Sequence, residues 1–318
     1  VASESGEVRD DVSLTNLDQP LFDGAEATKR DLVDYLDAVR DRIIPELRNR
    51  PLSVVRALRG QAPFMQKNTP KYTPEWVRTV RLWAESSKRE VSYALCDDRR
   101  TLLWFANQRA IEYHPTLYTA DDIGHPTYLI LDLDPPITNA FQLAVQAAHL
   151  VHQALDEAGL TGAVKTSGAK GVHMFVPISA ADSADDMAAA TRAIAARAER
   201  IDPVLATTAF IVEDRAGKVF LDSTRAHGAT VVAAYSPRLR PGAPVSFPVS
   251  WAELDHVKPT DFTLHTAVEL LGDRDPWADA MPAPQRLPED LVAEGRTIPV
   301  ARVQAMHEGK RRARARRA

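Results

Sequence analysis

A chain of 318 residues, 45% hydrophobic and 26% charged, is long enough for about two buried cores, and none of its apolar runs approaches the ~20 residues that cross a bilayer. Cys96 is the only cysteine, which excludes an internal disulfide and a cysteine-built zinc centre; with an acidic start unlike a secretory signal, a folded, soluble, cytoplasmic protein is expected. The net charge of −4 hides an asymmetry: the last nine residues hold six basic side chains and no acid, and without them 33 basic residues face 43 acidic ones, a charge of −10, so any polyanion site must be a local basic patch.

In chain order, residues 1–12 read as a disordered leader and residues 13–115 as an N-terminal lobe. Thr28 is placed to cap a helix from Lys29 to about Leu47, whose apolar residues Leu32, Tyr35, Leu36, Val39, Ile43 and Ile44 recur at helical spacing. Residues 52–58 read as a strand, and three prolines between Pro63 and Pro74 predict a loop. Apolar segments at 91–95 and 102–105 flank a turn at 97–100. A catalytic module is expected over 116–255. It comprises the strand from Tyr128, a helix through Phe141 and Leu155 that ends at Gly159, strands at 163–167 and 172–177 joined by a glycine turn, an alanine-rich helix over 183–200, and strands at 218–222 and 230–233. This β-α-β-β-α-β order predicts an α/β fold: a ferredoxin-like module with a mixed sheet, preceded by an α/β lobe. Prolines 276, 282, 284 and 288 mark a wrapping segment over 256–305, and residues 306–318 form a basic tail that either touches nucleic acid or solubilises the chain.

The segment from Tyr128 to Pro135 carries the chemistry. Leu129, Ile130, Leu131 and Leu133 surround Asp132 and Asp134. Side chains two apart on a strand share a face, so the two carboxylates stand side by side at a strand end. Repulsion and burial both oppose keeping them charged, and a divalent cation with a taste for hard oxygen, Mg²⁺ or Mn²⁺, resolves both. The alternative is that one Asp caps the next helix and the other is solvated. Asp222 ends a second strand; it either caps a turn or completes a three-carboxylate site able to hold two ions.

Ser167, Lys170 and His173 surround a glycine hairpin that lacks the Walker spacing; they either present hydroxyl, ammonium and imidazole to phosphate oxygens or form an ordinary surface turn. Arg225 and Arg238 either neutralise a polyphosphate or lie solvated. His149 and His152 read as surface or packing residues, and the acidic pairs 121–122 and 185–186 as helix-start charges.

Four segments, LDLDPP (131–136), TSGAKGVHMFVP (166–177), VFLDSTR (219–225) and ATVVAAYSPRLRPGAPVSFP (229–248), together resemble the polymerase domain of bacterial DNA ligase D and its stand-alone primase-polymerase relatives in the archaeo-eukaryotic primase superfamily. The similarity runs from about Leu14 to about Pro288. It implies a primase-type catalytic module of RRM/ferredoxin-like fold, with Asp132, Asp134 and Asp222 as the metal triad for two Mn²⁺ or Mg²⁺ ions. It implies Ser167, Lys170, His173, Arg225 and Arg238 around a nucleoside triphosphate, and His114, just before the central strand, as catalytically important. Phe64 in PFMQKN (63–68), with Lys67 in the same segment, is similar to the aromatic that stacks on template DNA. Lys29 in ATKRD (27–31) matches one lysine of a pocket for the 5′-phosphate at a gap or break. The resemblance implies template-dependent addition of nucleotides, ribonucleotides favoured, at gapped or broken double-stranded DNA, alongside a repair ligase or end-binding protein at the nucleoid. Two departures stand out. Gln19 replaces a second pocket lysine, removing one phosphate contact, and the stretch after Asp222 is a residue shorter than usual. No ligase or nuclease domain is recognised, and a stand-alone enzyme is expected. Rival readings are a non-catalytic DNA-end binder and a phosphohydrolase with Asp132 as nucleophile.

Overall fold

The computed structural model describes residues 7–84, 88–137, 140–180, 182–226 and 230–300. In chain order the first part holds β1 (Glu7–Arg9), β2 (Val12–Leu14), α1 (Lys29–Ala38), α2 (Arg40–Leu47), β3 (Leu52–Arg56), β4 (Phe64–Gln66), β5 (Thr79–Ala84), β6 (Arg89–Ala94), α3 (Arg99–Asn107) and β7 (Ala110–Pro115). The second holds β8 (Tyr128–Asp134), α4 (Phe141–Glu157), β9 (Ala163–Thr166), β10 (Val172–Pro177), α5 (Ala184–Ile201), β11 (Ala206–Thr207) and β12 (Val219–Asp222). Then come β13 (Pro248–Val249), α6 (Trp251–Leu254), α7 (Ala267–Leu271), α8 (Pro276–Ala280) and α9 (Glu289–Thr297).

The second sheet runs β11-β12-β8-β10-β9-β13. Its four central strands follow the ferredoxin-like order, each antiparallel to its neighbour, and the parallel β11–β12 pair makes the sheet mixed. Alternation on β8 fixes the faces. Leu129, Leu131 and Leu133 are buried, and Asp132 and Asp134 fall on the opposite face. Helices α4 and α5 pack against each other and on this sheet, presenting the stripes Ala144, Val145, Ala148, Val151, Leu155 and Met187, Ala190, Ile194, Ala198. Helix α9 lies on α5 at Gly295, where a Cβ would sit 1.8 Å from the Ala189 carbonyl oxygen. In the first sheet β3 pairs with β7 along its length, takes β4 at Val54–Arg56 and meets β6 at Leu52. One buried core runs through both sheets.

Several local expectations are corrected. Residues 7–14 are an ordered hairpin, not part of a disordered leader. Asp10 and Asp11 both adopt positive φ, 48° and 58°, the two-residue turn that matches strand twist; Val12 and Leu14 are buried, and Arg9 pairs with Asp34. Thr28 caps α1 in a reciprocal box with Asp31, but the helix stops at Val39 (φ −96°, ψ 8°) and restarts as α2. Phe64–Gln66 is a strand, because the free edge of β3 at Val54–Arg56 accepts it despite the nearby prolines. Asp98 is a helix cap, accepting from the Thr101 N–H at 2.8 Å, so residues 102–105 are helical. Residues 230–233 form no strand: Val231 to Tyr235 are buried as a connection between the sheets, held where the Ala233 N–H donates to the Tyr113 carbonyl at 2.9 Å. Asp121 and Asp122 lie in a turn, bonded to Asn49 and His125, whereas Asp185 and Asp186 do open a helix. The expected basic tail lies outside the described residues.

Candidate active site

Cross-strand register assembles the site. Asp222 on β12 lies opposite Asp132 on β8, Asp132 opposite His173 on β10, and His173 opposite Lys165 on β9. Directly opposed residues share a face, so four ionisable side chains form one row across the sheet, away from α4 and α5; Asp134 joins it two residues along β8. The hairpin between β9 and β10 is shaped by its own hydroxyl. The Ser167 Oγ accepts from the N–H groups of Ala169 (3.2 Å) and Gly171 (3.1 Å). Gly168 has φ +66°, and a Cβ at Gly171 would sit 2.3 Å from the Leu133 carbonyl oxygen; the glycines let the hairpin lie against the carboxylate strand.

The two Asp132 oxygens have different partners: Oδ1 is 3.3 Å from His173 Nε2 and Oδ2 is 2.8 Å from Arg225 Nη2. The same guanidinium nitrogen is 2.9 Å from Asp222 Oδ2, while Asp222 Oδ1 accepts from the Thr224 N–H (2.9 Å) and hydroxyl (2.6 Å). Lys170 Nζ donates to the Pro135 carbonyl at 2.9 Å and is 3.7 Å from Asp134 Oδ1. Burial opposes ionisation of Asp132, but the attraction of His173, Arg225 and Lys165 outweighs it and holds that carboxyl below the usual range. Asp134 moves the other way, pushed up by burial and by the Asp132 charge. Burial and the neighbouring Lys165 push the His173 imidazole down to about 4, against the pull of Asp132. The Arg225 guanidinium supplies a permanent counter-charge to Asp132.

Two carboxylates each offering an oxygen to one cationic nitrogen are hard donors of the kind that bind divalent ions. Among the described residues no three His, Cys, Asp or Glu side chains converge tightly enough to hold an ion as they stand. The Arg225 guanidinium stands between Asp132 and Asp222. Thus Arg225, expected to face a polyphosphate, bridges carboxylates, and His173 turns Nε2 to Asp132.

A second chain of contacts ties the first sheet to the hairpin. Arg238 Nη1 donates to the Ser167 carbonyl, and its Nε is 3.2 Å from Glu112 Oε1. Glu112 also accepts from the Leu239 N–H (2.8 Å) and meets His114 Nε2 at 2.8 Å. Burial opposes the Glu112 charge, yet His114 and Arg238 outweigh it and hold the carboxyl down at about 2. Burial keeps His114 below its ordinary value despite Glu112.

Lys29, Phe64 and Lys67 are not brought to the carboxylates. Lys29 is buried, its Nζ donating to the Thr15 carbonyl and to Asn107 Oδ1 (2.7 Å). It lines a cavity of about 230 Å³ with Asn16, Gln19, Arg56 and Arg109; burial and Arg109 bring its ammonium down to about 8. Gln19 thus faces the same cavity as Lys29. Phe64 is exposed, with the Arg56 guanidinium 5.9 Å from its ring centre, and Lys67 follows on the same exposed edge. A larger cavity of about 560 Å³ runs between residues 19–23, 57–61 and 239–241 and contains none of the three carboxylates. His152 stacks on Trp251 at 4.0 Å and His149 meets Asp255 at 2.9 Å, so both pack at the surface as expected.

Lys165 and Glu112 escape the sequence reading. Each sits two residues from a residue that was singled out, Ser167 and His114, so the same-face rule that pairs Asp132 with Asp134 reaches both.

The family model for the LigD primase-polymerase domain matches residues 28–277. The chain is 32% identical over 298 residues to the bifunctional non-homologous end joining protein LigD of Bacillus subtilis, covering 92% of this chain and 48% of that protein. It is 31% identical over 255 residues to the multifunctional LigD of Mycobacterium tuberculosis, covering 77% of this chain and 33% of that protein. The chain therefore spans half or less of the length of these relatives. A solved structure, the polymerase domain of Mycobacterium tuberculosis ligase D in complex with DNA, superposes with a TM-score of 0.75 at 27% identity, covering 85% of this chain and 99% of that one. With the ferredoxin-like order and the carboxylate row already in place, the match over 28–277 settles the family: the chain belongs to the LigD primase-polymerase domain family and is a nucleotidyltransferase of that type.

Proposed function

We propose that the chain extends a primer on a DNA template, favouring ribonucleotides, at short gaps or breaks during end joining, working with a repair ligase or an end-binding protein. The observation that carries this reading is the pair of strand-end carboxylates, Asp132 and Asp222, each with an oxygen within 3 Å of one cationic nitrogen, beside the Lys170 hairpin on the sheet face turned away from α4 and α5. A stand-in cation already bridges these oxygens, so the donors fit a divalent ion once Arg225 yields its place. Asp132, Asp134 and Asp222 would hold Mn²⁺ or Mg²⁺, which when bound lowers the pKa of the primer hydroxyl and neutralises the leaving pyrophosphate.

The chain's own residues supply position and charge. Lys170, His173 and Arg238 flank the face on which a triphosphate would lie, and the Ser167 turn fixes their spacing. Arg225, released from the carboxylates, swings toward the phosphates. Phe64 offers a ring to a template base, and the Lys29 cavity receives a downstream 5′-phosphate.

The test is extension of a labelled primer across a short gap with Mn²⁺, comparing ribonucleotides with deoxyribonucleotides and gaps with and without a downstream 5′-phosphate. Ribonucleotides are expected to be added faster, with a modest response to the phosphate. DNA binding without incorporation under any metal would replace this reading with an end-binding role.

A further inference from the structure

Lys165 has no exposed surface, and a buried amine needs partners for its hydrogens. Its Nζ is 2.6 Å from Ser246 Oγ and 2.9 Å from His173 Nδ1, and 5.4 Å from the centre of the Phe175 ring. Ser246 spends its own hydrogen on the Thr166 carbonyl, 3.0 Å away, so Nζ donates to Ser246. Beyond His173 stands Asp132, with Nε2 3.3 Å from Oδ1. An ionised carboxylate only accepts, so Nε2 must carry a proton. At the other end, an ammonium has no lone pair and can only donate, so Nδ1 accepts from Lys165, and the third ammonium hydrogen is left for the Phe175 ring. A ring with its single proton on Nε2 satisfies both contacts at once.

We propose that Lys165 is a positioning residue: it fixes His173 with its proton on Nε2, so that His173 holds Asp132 Oδ1 and leaves Oδ2 turned to the cation side of the site. Outer partners of this kind set ligand orientation, and losing one typically weakens metal affinity or activity by about 10–100-fold. The cation side rests on the polymerase reading above; the tautomer does not.

The experiment is long-range ¹H–¹⁵N spectroscopy of histidine-labelled protein, with His173 assigned by its absence in H173Q, alongside primer extension. Wild-type protein is expected to show His173 protonated on Nε2 alone. K165M, similar in length but without a donor, is expected to show mixed tautomers and about 10–100-fold less incorporation; K165Q, which keeps an N–H donor, is expected to restore the single tautomer and most of the activity. A wild-type ring protonated on Nδ1, or an unaltered His173 signal in folded K165M, would overturn the proposal. Should K165M fail to fold by circular dichroism, the wild-type and K165Q spectra decide it. A locked ring that K165M unlocks, in a protein that adds no nucleotide, would sustain the Lys165 assignment and remove the polymerase reading instead.

Discussion

Arg225 is the side chain on which the charge balance of the site turns. Its Nη2 is within 3 Å of Asp132 and Asp222, so replacing it leaves two partly buried carboxylates facing each other. We predict that Arg225→Ala destabilises the metal-free protein by about 3 kcal/mol, and that Mn²⁺ raises its Tm more than it raises the wild-type Tm. Melting curves with and without Mn²⁺ check this, and equal shifts would show that Arg225 and the ion do not share a place. Glu112 offers a test by pH. Its carboxyl is held at about 2 against an ordinary 4.5, so between those values the unfolded chain binds more protons than the folded one, and stability rises with pH. The contribution is complete above about pH 4.5 and is lost as pH falls toward 2. Urea unfolding from pH 5 to pH 3 should show a loss of up to ~2 kcal/mol that is smaller in Glu112→Gln; parallel curves would mean that the pairing with His114 and Arg238 adds nothing.

The hairpin between β9 and β10 is the element that joins the carboxylate strand to Lys170 and Arg238. Gly171 has no room for a Cβ against the Leu133 carbonyl oxygen, so Gly171→Ala must part β10 from β8. A loss of about 2–4 kcal/mol is expected, measured by urea unfolding; a wild-type midpoint would show that the hairpin yields freely. Elements of this kind were largely legible from the sequence. The run from Leu129 to Asp134, the glycine turn and the long helices α4 and α5 carry their period and punctuation within a few residues. What escaped depends on distant partners. Phe64–Gln66 becomes a strand because β3 has an open edge, residues 231–235 are buried without a ladder because they bridge two sheets, and the Asp10–Asp11 hairpin is held by Arg9 reaching α1. At the site, strand alternation put Asp132 and Asp134 on one face, as β8 has them, whereas the residues alone left Asp222 open between a turn cap and a third carboxylate. The sequence did not show that Arg225 sits between two of them, since that depends on the β8–β12 register.

Across the whole molecule, the Lys29 cavity stands apart from the carboxylate row, none of whose residues line it. If the cavity takes a 5′-phosphate, Gln19→Lys adds a cation beside Lys29 and should raise the preference for 5′-phosphorylated gaps by about five- to ten-fold, or roughly 1 kcal/mol, at low salt. Fluorescence anisotropy with phosphorylated and unphosphorylated gaps measures it; an unchanged ratio would place phosphate recognition elsewhere. The central claim is that the Asp132–Asp222 face performs templated nucleotide transfer. Its most direct measurement is single-nucleotide incorporation in a one-nucleotide gap, with each of the four template bases, in wild-type protein and Asp132→Ala. The account predicts that wild-type protein adds the complementary nucleotide and that the variant, still folded and still binding DNA, loses about 10³-fold or more of the rate. Incorporation that ignores the template, or that survives in Asp132→Ala, would contradict it.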